Sequence, residues 1–221
     1  MVENSGTISA NGGEIYLTTN AVNELLKGVV NNTGIIEANS LDGLMGKVEL
    51  FAHGGEVQVG GSIEAKDGFV ETSGKDFTVK ENAVVKAGEW LIDPIDITID
   101  ATLSSTIETA LTVGNVTIKT DSPNTSTNVT VPTLNQTSTD ADTTDGDIYV
   151  NSAITWSSAN KLTLDAADSI YINSAISASS GKLALHYGQG AVNLNNTSTY
   201  NVNAKVNLKA GDNFETKLGN N

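Results

Sequence analysis

Residues 147–154 read Asp-Ile-Tyr-Val-Asn-Ser-Ala-Ile, and Ile-Tyr-Ile-Asn-Ser-Ala-Ile returns at Ile170, 22 positions after Ile148. Leu162-Thr163-Leu164 returns 21 positions on as Leu183-Ala184-Leu185. A period of about 20 to 25 residues with strand-type contents is the signature of a solenoid, whose repeats bury their apolar faces against one another. Triplets with two apolar positions run along the chain, among them Ile15-Tyr16-Leu17, Val48-Glu49-Leu50, Val57-Gln58-Val59, Val116-Thr117-Ile118 and Val206-Asn207-Leu208. Such alternation sends one side chain inward and the next outward. Gly, Asn or Asp separates most triplets, and these residues tolerate the left-handed backbone of sharp corners. The expected fold is an all-β solenoid.

The first half carries a different phrase, Gly-x-Ile-x-Ala, at residues 6–10, 34–38 and 61–65, with spacings of 28 and 27. The longer spacing points to loops leaving the coil, so the chain should hold roughly eight to ten coils in a single domain over residues 1–221. Three excursions are expected. Near residues 20–33, apolar positions at helical spacing before Gly28 predict a short helix over 20–30. Near 101–112, a second short helix is predicted over 103–111, with Ser105 as cap and Glu108 at capping-box spacing. Residues 120–146, rich in Thr, Ser, Asn and Asp, form a long polar excursion.

Composition excludes several functions. All 12 basic residues are lysines, against 26 acids, for a net charge of −14 and a pI near 4.3. A chain without arginine and with this field repels polyanions, which argues against nucleic acid and anionic membranes as partners. There is no cysteine, which suits an exported solenoid whose coils fix one another. Met1-Val2-Glu3-Asn4-Ser5 lacks the basic start and apolar core of a signal peptide. No apolar run is long enough to span a bilayer. Because residues 6–10 already read as a strand, the chain is expected to be a piece of a longer protein.

Two phrases, Gly68-Phe69-Val70-Glu71-Thr72-Ser73-Gly74 and Gly88-Glu89-Trp90-Leu91-Ile92-Asp93-Pro94 followed by Ile97-Thr98-Ile99, carry a resemblance. With the Ile-Tyr-Val-Asn-Ser-Ala-Ile-Thr-Trp run at 148–156, they resemble filamentous haemagglutinin-type exoproteins of two-partner secretion systems. The high-molecular-weight adhesins and haem–haemopexin-utilisation exoproteins are the members most similar in these phrases. The resemblance implies a right-handed parallel β-helix, secreted to the bacterial cell surface through an outer-membrane barrel transporter. The Asn-Pro-Asn motif of the family's secretion domain is absent, which places this stretch downstream of that domain.

Residues that could carry chemistry have bland readings beside the sharp ones. Trp90 is expected to cover apolar residues at a coil corner, and Asp93-Pro94 to end a strand, since proline cannot continue a ladder. His53 and His186 are the only histidines, and neither has a second ligand at i+2 or i+4, which disfavours zinc or a His-based triad. Asp140, Asp142, Asp145 and Asp147 flank Gly146 and are the calcium candidates, although their spacing is not that of an EF-hand. No other metal and no cofactor is expected. Of seven Asn-x-Ser/Thr sequons, at Asn31, Asn115, Asn124, Asn128, Asn135, Asn195 and Asn196, the resemblance favours Asn124, Asn128 and Asn135 as glycosylation acceptors. Polysaccharide chemistry wants clustered carboxylates with a cation to neutralise a uronate, and no such set is evident, so no catalytic residue is assigned. The resulting expectation is a non-enzymatic adhesin segment. It would act as a monomeric rod binding a host-cell receptor or glycan, without membrane insertion. Haem–haemopexin capture is the alternative, and a carbohydrate-active β-helix enzyme a weaker one.

Overall fold

The computed structural model describes residues 1–20, 28–121, 146–190 and 197–219. The first coil consists of β1 (Val2–Asn4), β2 (Thr7–Ser9) and β3 (Glu14–Asn20). The next contributes β4 (Val29–Asn32), β5 (Ile35–Glu37) and the start of β6 (Lys47–Val59). β6 bends at a register shift between Ala52 and Glu56 and so belongs to two coils. β7 (Ser62–Val79) and β8 (Val84–Asp93) continue round further corners, and β9 (Ile97–Ile99) leads into α1 (Ala101–Leu111) and β10 (Asn115–Lys119). The last coils are β11 (Ile148–Val150), β12 (Ile154–Trp156) and β13 (Lys161–Asp165); β14 (Ile170–Ile172), β15 (Ile176–Ala178) and β16 (Lys182–Tyr187); and β17 (Tyr200–Val202), β18 (Val206–Leu208) and β19 (Phe214–Leu218).

These strands pair in parallel with the strand one coil on, forming a parallel β-helix with three faces. On the third face, β3, β6, β7, β8, β10, β13, β16 and β19 make eight rungs among the described residues. The repeats are therefore coils. Ile148 lies on Ile170 and Tyr149 on Tyr171, while Leu162 lies on Leu183. The Gly-x-Ile-x-Ala phrases stack on the second face, Ile8 on Ile36 and Ile36 on Ile63. Part of their longer period comes from a corner after β5, where Leu41 bridges Leu44 around Asp42 and Gly43, both at positive φ. Asp67 and Asn82 also turn corners at positive φ, as short polar residues can.

The core is a set of side-chain columns inside the coil. One column on the third face runs Ile15, Val48, Val70, Trp90, Val116, Leu162, Leu183. The parallel one runs Leu17, Leu50, Thr72, Ile92, Ile118, Leu164, Leu185. Trp90 was expected at a corner. It lies instead mid-strand in β8 and is fully buried. Its indole N–H then needs an acceptor inside an aliphatic core, and Thr72 Oγ1 in the adjoining column supplies it at 3.0 Å. At the corner between the first and second faces the backbones approach so closely that a Cβ on Gly34 would lie 2.1 Å from the carbonyl oxygen of Gly6. One on Gly61 would lie 2.1 Å from that of Gly34. Glycine is needed there by contact between coils, and at Gly61 also by its positive φ.

Asparagine ladders add to the backbone ladder. Asn173 donates to Asn151 at 2.9 Å, and Asn203 donates to Asn173 at 2.8 Å. Asn4 and Asn32 form a buried pair at 2.8 Å, which Asn32 extends to the Gly60 carbonyl at 2.7 Å.

Of the excursions, residues 21–27 and 122–145 lie outside the described residues. Val29 and Val30, assigned above to the end of a helix, belong to β4 and pair with Glu56 and Val57. The second helix is present as α1, but it starts earlier and its cap is Asp100 in place of Ser105. The Asp100 carboxylate accepts the Leu103 N–H at 2.9 Å. The Asp-Ala-Thr-Leu start brings Leu103, Ile107, Ala110 and Leu111 onto one buried face. α1 takes the place of a second-face strand between β8 and β12.

Its polar side chains occupy the sheet edges that a strand would have paired. Thr106 donates to the Ala83 carbonyl, Ser104 to the Ala153 carbonyl, and Glu108 accepts the Thr155 N–H at 2.6 Å. Glu108 thus serves the sheet and not a capping box.

Two stability outcomes follow, both measurable by urea unfolding. Thr72→Val keeps the shape but strands the Trp90 N–H, and should cost about 1–3 kcal/mol. Asp100→Ala should cost about 1 kcal/mol, while Ser105→Ala, at an exposed helix-interior position, should stay within about 0.5 kcal/mol of the parent.

Candidate functional site

The outward side of the third face carries a column of charge. Ser73 lies on Asp93, Lys119 on Asp165, and Asp165 on His186. Asp93 ends β8 because Pro94 follows with no N–H to donate. One of its carboxylate oxygens is buried without a hydrogen-bond partner, and the other lies 3.4 Å from Lys119 Nζ. Burial first, and then the nearby Asp121, push the Asp93 pKa up to about 6 against the pull of Lys119. Lys119 also pairs with Asp121 at 3.2 Å. Burial disfavours its charge, but Asp93 and Asp121 outweigh that and hold its pKa above the usual lysine value.

This corner is also the root of the polar excursion. Asp121 N–H donates to the Pro94 carbonyl at 3.1 Å. Thr120 Oγ1 donates to the Gly146 carbonyl at 2.6 Å and accepts from Ala167 N–H at 3.0 Å. On the returning side, Asp96 Oδ1 accepts the N–H groups of Gly146 and Asp147 at 3.0 and 2.9 Å. Gly146 sits at φ +80, and a Cβ there would lie 2.5 Å from Ala167 Cβ. The chain therefore leaves at Asp121 and re-enters at Gly146 through a fastened base with Asp93, Asp96, Lys119 and Asp121 around it.

The residues singled out above are scattered. Asp140, Asp142 and Asp145 lie outside the described residues. Asp147 Oδ1 accepts from Ser169 N–H at 2.9 Å and Oδ2 from Tyr149 O–H at 2.8 Å. Burial raises the Asp147 pKa, and those two hydrogen bonds oppose it. The bond to Asp147 in turn raises the Tyr149 pKa. Tyr149 stacks on Tyr171 with ring centroids 4.8 Å apart, a consequence of their register. No group of three or more His, Asp or Glu that could hold a metal is found among the described residues.

His53 is exposed on β6 with its ring edge-on to Phe51 at 4.0 Å. His186 lies between Asp165 at 3.3 Å and Glu215 at 3.1 Å, so both ring nitrogens are engaged. Five rungs separate the two histidines, roughly 24 Å at the usual strand spacing. Among the sequons, Asn124, Asn128, Asn135, Asn195 and Asn196 lie outside the described residues. Asn31 is buried, whereas Asn115 is exposed and accepts the Lys161 N–H at 2.9 Å. Lys119, Asp121 and Asp96 were not singled out in the sequence. Their signal is position, since they stand where the strand pattern stops on either side of the excursion.

Comparisons with protein-family models, curated proteins and solved structures return no match. No helix among the described residues is long and apolar enough to cross a membrane.

The Asp93 shift has a definite sign. Its pKa is raised in the fold from an ordinary value of 3.8 to about 6. The protonated form is therefore favoured by folding. The stabilisation is complete below pH about 4 and is lost as pH rises to about 6, by at most about 3 kcal/mol. Asp93→Asn should remove this dependence and leave the protein more stable than the parent at pH 7. Urea midpoints for both proteins at pH 4, 5, 6 and 7 check it, and parallel curves would refute it.

Proposed function

We propose that this chain is a segment of a secreted bacterial surface rod that attaches the cell to host or neighbouring cells by non-covalent binding. The observation that carries this reading is the fastened excursion root on a continuous stack of coils. A scaffold whose rungs are this regular fixes Asp121 and Gly146, the two ends of the excursion, at one corner, and segments presented by rigid scaffolds are where recognition concentrates. The resemblance to filamentous haemagglutinin-type exoproteins supports the same reading. Its phrases fall on β7, β8 and β9, and Val70, Trp90, Ile92, Ile97 and Ile99 among them are interior residues. They therefore support the architecture more directly than any receptor. Export through an outer-membrane transporter belongs to the same proposal. The acidic surface, with a net charge of −14, suits a neutral or cationic ligand better than a polyanion.

The test is binding of the purified chain to epithelial cells and, in parallel, to immobilised haemopexin, with and without calcium. A variant lacking residues 122–145 is carried alongside, its fold checked by circular dichroism. Cell binding that falls at least tenfold on deletion is the expected outcome. Undiminished binding by the folded deletion variant would refute the excursion as the recognition surface. Binding to haemopexin alone would move the segment to nutrient capture.

A further inference from the structure

On the outer side of the first face, within the first four coils, three side chains stand in line. Glu3 lies beside Asn31 in register, and Asn31 is followed by Gln58 and then Thr78 on the next two rungs. Lys80 comes two residues after Thr78 and is fixed by its N–H, which donates to the Val59 carbonyl at 2.7 Å. Its side chain runs back over Gly60, where a Cβ would lie 3.1 Å from Lys80 Cδ. The lane therefore exists because residue 60 has no side chain. The ammonium ends 2.6 Å from Asn31 Oδ1, and Asn31 Nδ2 donates to Glu3 Oε1 at 3.3 Å. Asn31 itself is 7% exposed.

A nucleophile, an amide and a carboxylate are thus held in order across four coils. With a carbonyl bond of about 1.23 Å, a nitrogen hydrogen-bonded to Oδ1 lies roughly 3–4 Å from Cγ. That is at the edge of the range from which reaction proceeds when groups are held in place. We propose that Lys80 and Asn31 join in an intramolecular isopeptide bond, with Glu3 moving a proton to the leaving amide nitrogen. Water takes one proton from the partly exposed Lys80 ammonium, and the freed Nζ lone pair adds to Asn31 Cγ; in that adduct Nζ and Nδ2 share one carbon, which brings an Nζ proton within reach of Glu3. The Cγ–Nδ2 bond breaks as Glu3 returns its proton to Nδ2, which leaves as ammonia. The proton first taken by water ends on that ammonia. The products are a secondary amide and an ammonium ion, and neither an oxidant nor a reductant is involved. The bond ties together residues 49 apart in sequence, bridging the coil between them. A chain without cysteine would gain in this way a covalent staple at one end of its stack.

Intact mass spectrometry of the folded chain tests this directly. The parent should weigh about 17 Da less than its sequence requires, the mass of one ammonia. Its tryptic digest should contain a branched peptide that holds both Asn31 and Lys80. Lys80→Arg, which keeps the charge but lacks the nucleophile's reach into an amide, should show the full sequence mass. Glu3→Gln, at an exposed position, should slow or abolish the loss. A parent that keeps its full mass after days folded at neutral pH overturns the proposal. So does a 17 Da loss without the branched peptide, which would mark cyclisation of an asparagine on its own backbone.

Discussion

The in-register parallel ladder between successive coils is the constraint on which everything else in this molecule depends. Because strands pair with their own successors, the residue at one position of a coil meets the residue at the same position of the next. Inward positions become columns of Val, Ile and Leu, and outward positions become rows of like polar groups. The ladder also brings backbones together at the corners, where Gly6, Gly34 and Gly61 stack Cα against carbonyl. The asparagine ladders are the same rule applied to an amide, which can donate to one neighbour and accept from the other. The rule tolerates local exceptions if their polar atoms are served. Trp90 enters an aliphatic column and draws Thr72 into the column beside it, so two departures from the pattern explain each other.

This rule also decides what could be read in advance. Ile148 and Ile170 were legible as neighbours because the coil is a fixed length of chain, so sequence spacing and spatial stacking coincide. The Gly-x-Ile-x-Ala phrases were legible for the same reason, despite a longer period, since the extra residues leave at a corner without disturbing the strands. Trp90 was misplaced because its burial depends on the small volume of its column neighbours Val70 and Val116, which no local pattern states. The start of α1 was misplaced because Ser105 and Asp100 are both competent caps, and the choice between them is made by which helix face the sheet edges bury. The acids at the excursion root were missed for a simpler reason. Asp96 and Asp121 acquire their partners Gly146 and Pro94 only because the ends of β8, β9 and β10 meet at one corner, and in sequence they look like any other solvated acid, while Asp93 was read only as a strand end.

α1 shows how the stack survives an interruption. A missing rung exposes the carbonyls of one edge and the N–H groups of the next, and both are costly to bury unpaired. The helix answers with side chains, Thr106 and Ser104 toward carbonyls and Glu108 toward the Thr155 N–H. Its C-terminal carbonyl at Leu111 is taken in turn by Ser158 and Asn160 Nδ2. The break in the second face is therefore sealed, while the third face passes it without interruption from β8 to β10 to β13. The polar excursion departs from the very next corner. The helix and the root of the excursion thus lie on neighbouring stretches of the stack.

The same ladder that orders the core puts a strain on an acidic surface. Outward acids at equivalent positions fall one strand spacing apart, as Glu37 and Glu64 do, and Glu49 and Glu71. Stacked like charges at about 4.8 Å repel unless a cation intervenes. At most such places one does. Lys66 and Lys86 both reach Glu64, at 3.0 and 3.2 Å, and hold its pKa below the usual carboxylate range. Lys47 forms an ion pair with Glu49. At the excursion root the compensation is incomplete. Lys119 is shared between Asp93 and Asp121, and one oxygen of Asp93 is buried with no donor. The fold accommodates this by making that carboxyl hard to ionise. The buried, donorless carboxylate oxygen thus stands at the root of the excursion. The electrostatics therefore distinguish this corner from the shaft independently of its loop.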